Sequence, residues 1–213
     1  MDEQNDFNEF KPQETMTELA RTIPHYPANT APLISADDVD QALVRAVAQG
    51  DPRALEELYQ RHGRLILTYI IGQVGSEALA EEILQDVMLA VWQRAASFRA
   101  ESTVYTWLLA IARRRAISAR QKIPDESPLS DLIAADNTGP LEALEQQTEQ
   151  ARVREALRRL PADQREVLEL IFYHDLSGPE AAAVLGVALG TVKSRLHRAR
   201  TLLGRWLRLG EIR

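Results

Sequence analysis

One stretch of the sequence carries side chains that could bind the phosphates and base edges of DNA. Between Gly190 and Arg208 there is no acidic residue, and six side chains are cationic: Lys193, Arg195, Arg198, Arg200, Arg205 and Arg208. The residue types that a helix-turn-helix requires occur at and before this run. Ala182 would be the small residue where the helices cross, Gly186 the turn glycine and Val192 the apolar residue of the second helix. A cationic second helix fits the major groove of DNA.

The alternative interpretation of this segment is a plain helical hairpin with a solvated basic edge. A merely solvated helix usually mixes both signs of charge, whereas the run after Gly190 is uniformly cationic. The pattern therefore favours DNA binding.

A second basic stretch lies beside aromatic residues. Phe98 and Tyr105 precede a run with no acid after Glu101, whose cations are Arg113, Arg114, Arg115, Arg120 and Lys122. Proteins hold unpaired strands by stacking bases on rings and tracking phosphates with cations. Trp107 falls in the apolar stripe of the same predicted helix, so we interpret it as a core residue.

The helix predicted from Glu77 to about Ala95 has two distinct faces. Its apolar stripe contains Ala80, Ile83, Leu84, Val87, Met88 and Val91. The opposite face contains Glu82, Gln85, Asp86, Leu89 and Gln93, with Trp92 at its border. Such a face is either an ordinary solvated surface or a docking surface, in which charge orients the partner and apolar side chains supply affinity.

Composition argues against catalysis. The four histidines are scattered, there is no cysteine, and we find no carboxylate pair, nucleophile or glycine-rich phosphate loop at working spacing. We therefore expect no enzyme activity, no cofactor and no metal site. No apolar run approaches the roughly 20 residues that cross a bilayer, and the acidic N-terminus lacks a signal-peptide pattern. We expect a cytoplasmic protein without membrane insertion of its own.

Few aromatic residues and helical periodicity throughout predict an all-α fold of two small helical domains. Breaks at Gly50-Asp51-Pro52 and Gly75-Ser76 separate the early helices. We predict an acidic, disordered extension over 1–36, a first domain over 37–122, an acidic flexible linker over 123–150 and a helix-turn-helix domain over 151–210.

The net charge of −6 conceals a strong segregation of charge. Residues 1–40 carry nine acids and two bases, and residues 123–150 carry seven acids and no base. Residues 41–122 have eleven bases against eight acids, and residues 151–213 have twelve against seven. Both predicted domains are therefore basic, and partner choice follows the local field.

The chain resembles the extracytoplasmic-function sigma factors of bacterial RNA polymerase between about Asp38 and Leu207. Residues 81–92 are similar to the family's core-polymerase-binding helix, and residues 98–113 to its promoter-melting segment. Leu160-Pro161, residues 165–168 and residues 190–200 are similar to sigma region four. The three matches occur in the family's order, with an acidic linker before the last.

The resemblance implies three binding surfaces. Core polymerase would bind Glu82, Gln85, Asp86, Leu89 and Trp92. The minus-ten element would contact Phe98, Tyr105, Arg113, Arg114 and Ser118. The minus-thirty-five element would contact Thr191, Lys193, Ser194, Arg195 and Arg198. The family often has Asn at position 114 and Asn or Asp at 118, so we expect an atypical minus-ten preference. Gly178-Pro179 and Ala182 replace bulkier residues without changing the expected fold.

We accordingly expect an alternative sigma factor, a non-catalytic specificity subunit that binds core RNA polymerase and promoter DNA under control of an anti-sigma factor. The alternative is a two-module DNA-binding regulator that does not dock on polymerase. The two differ at the acidic face around Asp86 and Leu89, which only a sigma factor would use for polymerase binding.

Overall fold

The computed structural model describes residues 35–121, 153 and 155–209, with side chains as far as 207. Helices and short connections form these segments, which contain no strand, and the predicted all-α class is confirmed. The predicted acidic linker and all but the last two residues of the predicted N-terminal extension lie outside the described residues. None of the helices within the described segments combines the length and hydropathy required to span a membrane.

The first domain, residues 35–121, consists of four helices whose ends follow local sequence signals. The helices are α1 (Ala36–Ala48), α2 (Pro52–Val74), α3 (Glu77–Arg94) and α4 (Val104–Arg120), with a 3₁₀ turn at Ala95–Ser97. Side chains of Ser35, Asp51, Ser76 and Thr103 accept backbone N–H bonds at the four helix starts. The left-handed backbone of Gly75, at φ 72°, ends α2.

The core of the first domain lies between α2, α3 and α4, which pack pairwise against one another. Each helix contributes fully buried side chains, among them Leu58, Ile66, Val87, Val91 and Leu108. Burying a side chain of this size contributes roughly 1.5–3 kcal/mol. The packing fixes which side of α3 faces solvent, and therefore where its polar face points.

A buried carboxylate joins α1 to α2. Asp40 accepts from Arg61 Nε at 2.6 Å and lies 2.8 Å from His62 Nε2. Burial opposes ionisation of Asp40, but His62 and Arg61 outweigh it and hold its pKa below the ordinary value. The imidazole of His62 in turn stacks on Tyr105, with ring centroids 5.5 Å apart. This cluster positions the start of α4.

The second domain, residues 155–209, contains the predicted helix-turn-helix. Helix α5 (Ala162–Leu168) continues as a π-helical turn (Glu169–Tyr173) and is followed by α6 (Gly178–Leu185) and α7 (Leu189–Leu209). Ser177 and Glu180 form a capping box at the start of α6. Gly186, at φ 66°, makes the turn between α6 and α7, as its place in the sequence predicts.

The two domains pack directly against each other. Helix α6 lies against α4, and buried residues of the second domain, including Leu170, Leu176 and Leu185, share one apolar core with the first. A smaller cluster within the second domain contains Ala156, Leu160, Leu168, Ala199 and Leu203. Sequence alone suggested two domains on a tether and gave no sign of this contact.

Candidate partner and nucleic-acid interfaces

Helix α3 presents an acidic face with exposed apolar side chains. Leu89 is 53% exposed and Trp92 is 38% exposed, whereas Val87 and Val91 on the other side are buried. Glu82 and Asp86 on this face form no ion pair with any residue that the structure describes. The face joins free carboxylates to uncovered apolar surface, a combination typical of a docking site.

The aromatic residues after α3 divide into two groups. Phe98 lies against Trp107, with ring centroids 5.0 Å apart and planes at 47°. Both rings are partly buried and pack on the first-domain core, which agrees with the interpretation of Trp107 as a core residue. Tyr105 instead points toward the second domain, where its hydroxyl lies 2.7 Å from His174 Nδ1.

The cationic residues of α4 also separate into exposed and engaged members. Arg114 and Ser118 are exposed one turn apart, and the Ser118 hydroxyl donates to the Arg114 carbonyl at 2.9 Å. Arg113 is partly buried and donates to Glu166 of α5 through Nε at 2.8 Å and Nη2 at 3.2 Å. Of the five predicted minus-ten residues, Tyr105 and Arg113 are therefore engaged between the domains.

Glu166 accepts hydrogen bonds from two side chains at the centre of the interface. Besides Arg113, it accepts a hydrogen bond of 2.7 Å from the buried Tyr69 hydroxyl. Burial opposes the charged form of Arg113, but Glu166 outweighs it and raises the pKa of Arg113 above its ordinary value. Burial, followed by the charge of Glu166, raises the pKa of Tyr69 far above its usual range. Removing Glu166 would leave both donors without this partner.

Two further polar groups of the second domain fill the interface. Glu169 accepts from Gln73 at 3.1 Å, and burial, reinforced by the charge of Glu166, raises the pKa of Glu169 to about 8. His174 is 5% exposed, and burial lowers its pKa to about 4. The Nε2 atom of His174 is buried without a hydrogen-bond partner among the described residues.

The predicted minus-thirty-five residues lie at the start of α7, and they do not all face the same way. Lys193, Ser194 and Arg198 are exposed, Thr191 is partly buried and Val192 is buried in the core. Arg195 turns toward α5, where its Nε lies 3.1 Å from Asp163 Oδ2. The exposed face of α7 therefore contains Lys193, Ser194 and Arg198 rather than Arg195.

Sequence reasoning missed four residues that these surfaces contain. His197 is exposed on the face of α7 that carries Ser194, and the spacing of three residues could have revealed it. Asp163, Glu166 and His174 act across elements distant in sequence, so no local pattern marked them. In the described segments, no group of three or more His, Cys, Asp or Glu side chains could hold a metal ion.

Comparisons with known proteins match both domains. The Sigma-70 region 2 family model matches residues 58–123, and the Sigma-70, region 4 model matches residues 150–203. The ECF RNA polymerase sigma factor RpoE of Cereibacter sphaeroides is 38% identical over 162 residues, covering 74% of this chain and 89% of that relative.

Two solved structures share the fold at higher coverage of the relative. CnrH in complex with the cytosolic domain of CnrY is 27% identical with a TM-score of 0.61, covering 81% of this chain and 99% of that one. The sigma factor RpoE in complex with the anti-sigma factor NepR from Bartonella quintana is 29% identical with a TM-score of 0.58, covering 74% and 98%.

Proposed function

This chain belongs to the extracytoplasmic-function RNA polymerase sigma factors, and on that premise we propose which of its surfaces performs each step of initiation. As a member of this family, it binds core bacterial RNA polymerase and directs promoter-specific transcription initiation. The proposal concerns the assignment of residues to polymerase, to the minus-ten element and to the minus-thirty-five element.

The exposed face of α3 is the polymerase-docking surface in this proposal. Asp86 and the neighbouring Glu82 orient the partner through charge, while Leu89 and Trp92 provide apolar contact area. The observation that carries this assignment is the exposure of Leu89, an apolar side chain left uncovered beside carboxylates that form no ion pair with a described residue. Gln85 lies between them on the same exposed face and adds a polar contact.

The end of α3 and helix α4 form the minus-ten surface. Phe98 and Tyr105 supply rings on which flipped bases stack, and Arg113 binds the backbone phosphate. Arg114 and Ser118 are exposed one turn apart and contact the adjacent part of the same minus-ten strand. The rigid guanidinium of Arg114 favours guanine or phosphate over the adenine-type pairing that an amide would make.

Helix α7 reads the minus-thirty-five element in the major groove. Lys193, Ser194 and Arg198 lie on its exposed face and contact phosphates and base edges, with Thr191 at the margin. Arg195 contributes mainly by tying α7 to α5 through Asp163, since that ion pair already uses its Nε. Sequence discrimination therefore depends most on Arg198 among these cations.

We further infer that an anti-sigma factor controls this protein. The solved relatives CnrH and RpoE are bound to CnrY and to the anti-sigma factor NepR respectively. Because this chain contains no cysteine, any thiol-based sensing would belong to such a partner. The chain itself is a non-catalytic subunit, because polymerase performs the bond-forming chemistry. It works in the cytoplasm, where polymerase acts.

Transcription in vitro with purified core polymerase over a genomic promoter library tests this function. The protein should direct initiation at a limited set of promoters that share a minus-thirty-five and a minus-ten sequence at fixed spacing. A transcript set identical to that of core polymerase alone would contradict the proposal and would favour a regulator that does not dock on polymerase.

A further inference from the structure

An apolar side chain is exposed at the start of α7, the helix that the proposed function places in the major groove. Leu189 is the first residue of α7 and is 37% exposed, whereas Val192 in the same turn is buried in the core. The cations of α7 begin one turn later, at Lys193. The contacts proposed for the minus-thirty-five element do not use this leucine.

Leu189 lies on the side of α7 that carries the proposed DNA contacts. Residues four apart lie on the same side of a helix, so Leu189 is one turn before the exposed Lys193, and Gly190 is one turn before the exposed Ser194. Nothing lies within 4 Å of the position that a Cβ on Gly190 would take. Bases can therefore approach this first turn closely, and the N-terminal residues of a recognition helix are those that contact base edges.

The side chain of Leu189 is supported by the preceding helix. A Cβ on Gly178, the first residue of α6, would lie only 3.1 Å from Leu189 Cδ1. The leucine thus rests against the start of α6, in space that a larger residue at position 178 would fill. A side chain that is held in place before binding loses less conformational freedom when it meets a ligand.

A leucine at this place distinguishes bases by their apolar surface. Thymine is the only one of the four bases that presents a methyl group in the major groove, while the other base edges there present hydrogen-bond donors and acceptors. A polar group pressed against Leu189 would lose its water without gaining a hydrogen bond. A methyl group in the same place would be removed from water favourably.

We propose that Leu189 is a specificity-determining residue that selects a thymine in the minus-thirty-five element through its C5-methyl group. This inference rests on the proposed function, which places α7 in the major groove. It adds a base that the cations of α7 do not read, since Lys193 and Arg198 are suited to phosphate and guanine. The selected thymine should lie beside the bases that these two cations contact.

Replacing thymine by deoxyuridine tests the contact, because deoxyuridine lacks only the C5-methyl group. Holoenzyme assembled from core polymerase and the full chain is titrated with a fluorescent promoter duplex found by transcription of the library. Each thymine of the minus-thirty-five element, on either strand, is replaced in turn. The ratio of the two affinities is measured within each protein, so that effects of a variant on folding or on polymerase binding cancel.

Three variants accompany the unmodified protein. Leu189→Ala removes the apolar contact, whereas Leu189→Met keeps an apolar side chain of similar reach. Ile117→Ala is the matched control, because it removes the same number of carbon atoms from a side chain that is 38% exposed on α4.

In the unmodified protein, one replacement should weaken binding about fourfold, the effect of leaving one methyl group in water. The same replacement should have little effect in Leu189→Ala and should keep its effect in Leu189→Met and Ile117→Ala. An equal effect in the unmodified protein and in Leu189→Ala would overturn the inference, as would the absence of any effect in the unmodified protein. Failure of the holoenzyme to initiate at any promoter would instead refute the proposed function.

Discussion

The Tyr105 hydroxyl lies 2.7 Å from His174 Nδ1 and so connects α4 of the first domain to the end of the π-helical turn in the second. Tyr69 meets the same imidazole edge-on at 5.5 Å between centroids, and Tyr173 does so at 5.2 Å. Phenol rings surround the buried imidazole of His174, and no carboxylate is hydrogen-bonded to it in the described structure. Its neutral form is therefore the one that the fold accepts.

The first prediction is that His174 makes the folded protein sensitive to mild acid. Burial lowers its pKa from 6.5 to about 4, so between these values the unfolded chain binds a proton that the folded chain does not. The stability that the neutral imidazole of His174 contributes is fully present above pH 6.5 and is lost as the pH falls toward 4. At pH 5 the loss is on the order of 2 kcal/mol.

Urea denaturation at pH 7.5 and pH 5, for the unmodified protein and for His174→Gln, measures this loss. The variant starts less stable but should lose less stability between the two pH values, because it lacks the titrating group. Other groups that titrate, including Glu169, are common to both proteins and cancel in the comparison. Equal losses in the two proteins would contradict the assignment.

The second prediction concerns the turn of the helix-turn-helix. Gly186 has a φ of 66° with open space where a Cβ would lie, so Gly186→Ala meets no clash but forces alanine into left-handed backbone at a cost of roughly 1–2 kcal/mol. Gly190 also has open space but lies within α7 at ordinary φ. Gly190→Ala should stabilise the protein by up to about 1 kcal/mol. Thermal unfolding distinguishes the two variants. A change of melting temperature in the same direction for both would refute the backbone geometry assigned to the two glycines.

The third prediction separates the two arginines of α7. Arg198→Ala should weaken binding to a minus-thirty-five duplex by about 1–3 kcal/mol and relax its sequence preference, as expected for a lost arginine–guanine pair. Arg195→Ala should mainly disturb the contact with Asp163 and cost less than about 1 kcal/mol of stability, because this ion pair is partly exposed. Binding to matched and scrambled duplexes measures both. A greater loss of sequence preference in Arg195→Ala would reverse the assignment.

Much of the fold follows from local signals that the sequence displays. Gly75 ends α2 and Ser76 starts α3, as their residue types predict. The helical period correctly places Val87 on the buried face of α3 and Leu89 on its exposed face. These signals act within one or two helical turns, so a single segment contains the information. The same holds for Gly186, which predicts the turn before α7.

The domain contact could not be predicted in this way. Glu166 meets Arg113 and Tyr69 over separations of 53 and 97 residues, and nothing in their neighbourhoods marks the pairing. His174 ends the π-helical turn and is buried by side chains from α2 and α4, which its own segment does not reveal. Arg195 appeared equivalent to its cationic neighbours because periodicity does not reveal a partner on another helix.

The fourth prediction concerns the docking face of α3. Asp86→Arg combined with Leu89→Ala reverses a charge and removes an exposed apolar side chain, while the buried stripe of α3 remains intact. Glu56→Arg combined with Tyr59→Ala makes the corresponding change on an exposed part of α2, where Tyr59 is 45% exposed. Both pairs lie on the surface, so neither should unfold the domain.

The most direct test of the account is the affinity of these two double variants for core RNA polymerase, measured by fluorescence anisotropy with the labelled protein. The account predicts that Asp86→Arg with Leu89→Ala lowers the affinity at least a hundredfold, the effect of losing an interface hot spot of about 3 kcal/mol. The α2 variant should bind core polymerase like the unmodified protein. Unchanged binding by the α3 variant would contradict the account.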